Sequence, residues 1–225
     1  MDKNKNYLSL KKFCLDSGVD LFGVADISKI KNGFALSRET LGKLDKAVCL
    51  GMRLSASVLE EIMDAPTRLY FHHYRTANVF LDQAAIRIVN FIQRKGYSAL
   101  PIPASQILDW KNQKAHLSHK ELAILAGLGW LGRNNLLVSK RLGSQLRLVS
   151  ILTDMPLKLD RKAEENCGAC RLCVTVCPAA AIKDNPSDFD HIKCFEKLKE
   201  FQKLRLTDQY ICGVCVNACR GKNER

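Results

Sequence analysis

Apolar and polar positions alternate along this chain in several regular ways before cysteine takes over. Over residues 67–96, just after Pro66, the apolar Tyr70, Tyr74, Ala77, Leu81, Ala84, Ile88 and Phe91 recur every three or four positions. That spacing makes one continuous stripe and predicts the longest helix. His72, His73 and Arg75 fall off it. They read either as solvated residues at a helix start or, with His73 and Arg75 joining Tyr70 and Tyr74, as one wall of a ligand pocket. A shorter helix is expected over 7–16, where Leu8, Phe13 and Leu15 lie among lysines and Gly18 is placed to stop it. The apolar runs 19–27 and 47–54 read as buried strands. Cys14 and Cys49 fall within these elements and read as small buried hydrophobes.

Beyond a strand expected over 97–102 comes a proline-containing connection, and then Ser118-His119-Lys120-Glu121, a capping box that opens a short helix. Gly127-Leu128-Gly129-Trp130-Leu131-Gly132-Arg133-Asn134-Asn135 follows at once. These glycines close a helix and precede a strand, the reverse of a dinucleotide-binding turn. The segment is expected to be a loop whose missing side chains let backbone approach something flat and large. Residues 136–139 and 146–153 read as the two strands of one hairpin, and Asp154-Met155-Pro156 ends the first domain.

In the last quarter eight of the ten cysteines form two runs. The first is Cys167-x2-Cys170-x2-Cys173-x3-Cys177-Pro178; the second is Cys194, then Cys212-x2-Cys215-x3-Cys219. The first spacing is that of bacterial ferredoxins, in which the fourth cysteine ligates the other cluster of a pair. A C-x2-C-x2-C loop wraps three thiolates around one cubane, and the longer spacer with its proline turns Cys177 away. One 4Fe-4S cluster is therefore expected on Cys167, Cys170, Cys173 and Cys219, and a second on Cys177, Cys194, Cys212 and Cys215. Zinc would call for paired knuckles or histidine partners, and a disulfide framework suits a short secreted chain; neither describes this pattern.

At 225 residues, 47% hydrophobic and 26% charged, the chain suits an ordinary domain plus a small cysteine-rich module. No apolar stretch is long enough to span a bilayer. The N-terminus lacks the apolar core of a secretory signal, so a cytoplasmic protein without membrane partners is expected. The formal charge is +12. Two oxidised clusters at about −2 each would bring the loaded protein to about +8, enough to steer nucleic acid or an acidic redox partner.

The block from Ser118 through Gly127 to Asn134, followed by eight cysteines in this order, resembles the epoxyqueuosine reductase family, as does Leu21-Phe22-Gly23-Val24-Ala25. The resemblance covers most of the chain. It implies a nitroreductase-like α/β domain that carries cobalamin, next to a two-cluster ferredoxin module, as in the similar reductive dehalogenases. The corrin would lie at the glycine segment, against Tyr70, His73, Gly127, Gly129, Trp130, Gly132, Arg133 and Asn134. The family's catalytic aspartate lies eight residues before the glutamate matching Glu121. Ungapped, that position holds Gln113, which leaves Asp109, His116 and His119 as proton-donor candidates. The family's tRNA-modifying members extend into a helical-repeat domain, whereas this chain stops six residues after Cys219. On that ground tRNA is a disfavoured partner.

The fold class expected is α+β, with a nitroreductase-like α/β domain over 1–160 and a two-cluster ferredoxin-like domain over 161–225. The expected function is an iron-sulfur oxidoreductase. It would take electrons from a low-potential donor of ferredoxin or flavodoxin type and pass them through two 4Fe-4S clusters to a corrinoid, to reduce a small-molecule or protein-bound substrate. The alternative is an electron-transfer or cofactor-reducing partner protein without a corrinoid of its own.

Overall fold

The computed structural model describes residues 2–221. In chain order the elements are α1 (Lys3–Asp16), β1 (Leu21–Asp26), α2 (Arg38–Leu41), β2 (Lys46–Arg53), α3 (Ala56–Glu60), α4 (Arg68–Arg94), β3 (Ala99–Ile102), α5 (His119–Leu125), β4 (Trp130–Leu131), β5 (Leu137–Val138), β6 (Leu146–Thr153), α6 (Leu172–Thr175), α7 (His191–Lys203) and α8 (Val214–Ala218). They fall into two compact units, neither of them continuous in sequence. One comprises Met1–Met52, Asn78–Leu128 and Arg147–Ala163; the other comprises Arg53–Ala77, Gly129–Leu146 and Glu164–Arg225.

The first unit is built on a four-stranded sheet in the order β1-β2-β6-β3. β1 runs antiparallel to β2, from Leu21 opposite Gly51 to Asp26 opposite Lys46, and β3 runs antiparallel to β6, from Ala99 opposite Thr153 to Ile102 opposite Ser150. The helical stripe expected from Leu81, Ala84 and Ile88 joins Leu10, Cys14, Val24, Val48, Leu50, Val149 and Ile151 in one core. Each large side chain buried there contributes about 1.5–3 kcal/mol. α1 begins earlier than its apolar pattern indicates because Asp2 caps it, accepting from the Asn4 and Lys5 amides at 3.0 Å each. α5 packs on β1 at Gly23, where any side chain would strike the Ala126 carbonyl.

The second unit holds a two-stranded sheet in which Trp130 faces Val138 and Leu131 faces Leu137. The expected hairpin of 136–139 with 146–153 does not form. β5 turns back on β4, with the Gly132 amide donating to the Leu136 carbonyl at 2.8 Å, while β6 lies between β2 and β3. The reason is burial. Val149, Ser150, Ile151, Leu152 and Thr153 are all fully buried, and a strand covered on both faces belongs inside a sheet rather than in an exposed hairpin. In the same unit α8 packs against α6 and α3. Among the described residues no helix is long and apolar enough to cross a membrane.

Candidate metal centre

The eight clustered cysteines all lie in the second unit. Burial first, and then the neighbouring thiols of Cys219, Cys167 and Cys170, push Cys173 up to about 11. Burial and then Cys177 push Cys194 up to about 11. Cys212 is likewise raised to about 11 by burial, then by Cys194 and Cys177. Cys215 is raised by burial, then by Cys212, Cys194 and Cys177, with Cys173 last. Cys219 is raised by burial and, more weakly, by Cys167. Cys173 thus feels the charges of Cys219, Cys167 and Cys170, whereas Cys215 feels those of Cys212, Cys194 and Cys177 and, last, that of Cys173. A half-buried thiol crowded by others resists losing its proton to water, but a metal replaces that proton outright. Among the described residues no three His, Cys, Asp or Glu side chains converge on a single metal ion. An iron-sulfur cluster instead asks for four thiols spaced around a cage, and this donor set fits that demand.

Around these thiols stands a shell that draws on both earlier segments of the unit. The Trp130 indole donates to Cys167 Sγ at 3.3 Å. Arg133 spreads its guanidinium over three carbonyls, those of Asp184 (2.7 Å), Cys170 (2.8 Å) and Gly168 (2.9 Å), and so closes the first cysteine loop. Asn134 is buried and donates to Ser144 Oγ at 3.0 Å, and Ser144 in turn hydrogen-bonds the Cys219 thiol and lowers it. The Ala181 amide donates to Cys177 Sγ at 3.4 Å. Tyr70 lies against the Cys212-Gly213 turn, where a side chain at Gly213 would strike its ring. Ser144, Ala181 and Asp184 carry no motif; only the turn-forming Gly143-Ser144 pair hints at a close approach.

The residues expected to cradle a corrin are therefore engaged otherwise. A side chain at Gly129 would strike the Val138 carbonyl, one at Gly127 the Arg161 carbonyl, and one at Gly132 the Val138 and Asn134 side chains. The space that these glycines leave open is filled by the chain itself, and Trp130 and Leu131 are a strand rather than a loop. His73 accepts the Ser55 amide at 2.9 Å, and burial lowers its pKa, so the ring stays neutral. A groove of about 400 Å³ does open beside Cys167, lined by Leu131, Arg133, Asn166, Asp184 and Pro186 among others.

The three proton-donor candidates lie in the first unit, and each is hydrogen-bonded to partners of its own. Asp109 accepts from the Asn112 amide at 3.0 Å and from its side chain at 2.6 Å, and these bonds hold the carboxyl below its ordinary range. His116 Nδ1 bonds the Ala35 carbonyl at 3.0 Å. His119 uses both ring nitrogens, Nδ1 with Ser150 Oγ and Nε2 with the Pro103 carbonyl, each at 2.9 Å. Desolvation lowers its pKa and keeps it neutral.

No protein-family model matches the chain. By sequence it is 39% identical to the epoxyqueuosine reductase of Escherichia coli over 114 residues, which is 47% of this chain and 30% of that protein. It is 26% identical to that of Cyclobacterium marinum over 93% of this chain and 77% of that protein. Against the first of these relatives the matched stretch is less than a third of the protein's length. By structure it is similar to a reductive dehalogenase bound to 3-bromo-4-hydroxybenzoic acid, with a TM-score of 0.76 and 21% identity over 97% of this chain and 32% of that one. It is also similar to an epoxyqueuosine reductase bound to an epoxyqueuosine-modified tRNA stem loop, with a TM-score of 0.59 and 19% identity over 86% of this chain and 56% of that one. That complex overturns the expectation that tRNA is disfavoured, which rested on where the chain ends and not on any feature of the site. In sequence the chain is a homologue of the epoxyqueuosine reductases, and in fold it is a relative both of them and of the reductive dehalogenases.

Proposed function

We propose that the chain is an iron-sulfur reductase whose second unit holds two 4Fe-4S clusters, one on Cys167, Cys170, Cys173 and Cys219 and the other on Cys177, Cys194, Cys212 and Cys215. In terms of sequence, residues 161–225 form the ferredoxin-like, cluster-bearing part and residues 1–160 the nitroreductase-like part. The observation that supports this reading is that the thiols raising Cys173, Cys194, Cys212 and Cys219 belong to each one's own proposed set, as do the three that raise Cys215 most. Bound there, the clusters would supply stepwise one-electron transfer. The chain's own contribution is to hold the thiolates. Arg133 pins the first loop through the Gly168 and Cys170 carbonyls and ties it to that of Asp184, Asn134 and Ser144 hold Cys219, and Tyr70 backs the turn that carries Cys212. Anaerobically purified protein should contain about eight irons and eight acid-labile sulfides per chain. Fewer than about six of either would sink the two-cluster reading.

The substrate supported by the homologues is epoxyqueuosine in tRNA, tested by incubating the loaded protein anaerobically with the modified stem loop, dithionite and cobalamin, and assaying queuosine. A second reading, an electron carrier or cofactor-reducing partner without a corrinoid of its own, is favoured by the filled glycine segment. Cobalamin titrated under reducing conditions separates the two. No spectral change at tens of micromolar with both clusters intact leaves the carrier.

A further inference from the structure

Trp130 carries its one polar atom on an otherwise apolar ring, and the fold aims that atom at sulfur. The ring is 5% exposed and its Nε1 lies 3.3 Å from Cys167 Sγ. The position is determined from two sides. Trp130 pairs with Val138 across the short sheet, and Arg133, three residues on, grips the loop that carries Cys167 and Cys170. An indole is a donor without an acceptor, so its N–H can point in one sense only. A neutral thiol accepts weakly, whereas a thiolate on a metal centre accepts well.

We propose that the Trp130 N–H···Sγ hydrogen bond raises the reduction potential of the centre held by Cys167, Cys170, Cys173 and Cys219, and so sets it apart from its neighbour. The inference rests on the two-cluster reading. Reduction of that centre by an external low-potential donor adds one electron and moves no proton, because the indole hydrogen stays on nitrogen throughout. The added negative charge is shared with the ligating sulfurs, and a dipole whose positive end points at one of them stabilises the reduced form more than the oxidised one. Hydrogen bonds to cluster sulfurs are among the levers that set cluster potentials. In the other foursome Cys177 receives a backbone N–H from Ala181, which no side-chain substitution removes. A change at Trp130 therefore acts on one centre.

The experiment uses the full chain loaded with both centres. Iron and sulfide are assayed first, and each centre is then titrated with dithionite and followed by EPR. The signal lost in Cys170→Ala identifies the first centre. Trp130→Phe keeps the ring and removes the donor; iron should stay at the wild-type level, and the first midpoint should shift to lower potential while the second stays in place. Should Trp130→Phe shed iron, the inference is decided by Trp110→Phe protein grown on 5-fluorotryptophan. That protein keeps the shape of Trp130, makes its N–H a stronger donor, and should move the first midpoint upward. An unmoved first midpoint in a protein that retains its iron, or an equal shift in both centres, overturns the inference. Wild-type protein without iron on these cysteines overturns the cluster reading instead, visibly before any potential is measured, and takes this inference with it.

Discussion

At the scale of single residues, His119 and Gly129 show how position replaces the role that chemistry suggests. Titratable and next to a capping box, His119 is a natural proton-donor candidate, yet the fold saturates both its nitrogens and lowers its pKa by desolvation. Below about pH 6.5 the unfolded chain takes up a proton that the folded ring resists, so stability holds above that value and declines as pH falls toward the folded one. His119→Gln should cost about 1 kcal/mol near neutral pH through weakened hydrogen bonds, while flattening that acid-side decline. Denaturation midpoints of both proteins on either side of about pH 6.5 measure it, and parallel pH slopes would rule it out. Gly129 teaches the same lesson. A reading of the glycines as a corrin cradle expects Gly129→Val to spare the clusters. Because the new side chain would meet the Val138 carbonyl directly beneath Trp130, overpacking of about 1–3 kcal/mol or more falls on the strand that supports Cys167. Iron content should drop by about half or further, and full retention of iron would show that the strand yields.

Among elements, the short helices α6 and α8 carry Cys173 and Cys215 and bear on the proposed pairing of ligands. Cys177 follows α6 in sequence, but the thiols it raises are Cys194, Cys212 and Cys215. Cys177→Ala should therefore damage the second foursome and leave the EPR signal of the first. Survival of the second signal with loss of the first would mean that the ligands are not interleaved. The connection from β4 to β5 matters in a different way, because Arg133 holds three carbonyls at once and lysine cannot reproduce a planar fork. Arg133→Lys should speed iron release to a chelator from the first centre, at a cost of about 1–3 kcal/mol in loop anchoring. An unchanged release rate would reduce Arg133 to a surface cation.

For the whole molecule the separable features are its charge and the division of its cysteines. With a formal charge of +12, association with a tRNA stem loop should depend steeply on salt. Neutralising even three phosphates of the duplex stem predicts about a fortyfold loss of affinity over a fourfold rise in salt. A flat salt response would show that the positive charge plays no part in such binding. Cys14 and Cys49 belong to the first unit's apolar interior, where burial raises both, Cys49 to about 12. Replacing both with alanine should leave iron at its wild-type level and lower only stability, and a loss of about half the iron would show that one of them is a ligand.

Periodicity alone made the long helix α4, the capped start of α5 and the strands β1 to β3 legible, because each of these is local or nearly so. A stripe at helical period specifies its own element, and a three-residue spacer limits which thiols share a loop. What Gly129, Trp130 and Arg133 touch is set by long-range packing. Their partners, Val138, Cys167 and the carbonyls of Gly168, Cys170 and Asp184, are remote in sequence or belong to backbone. The same holds for β6, whose apolar run suits a hairpin or a central strand equally well until β2 and β3 are present to cover it. Close approach of one backbone to another leaves only a glycine in the sequence, and a glycine does not say whether its empty space admits a cofactor or the chain itself.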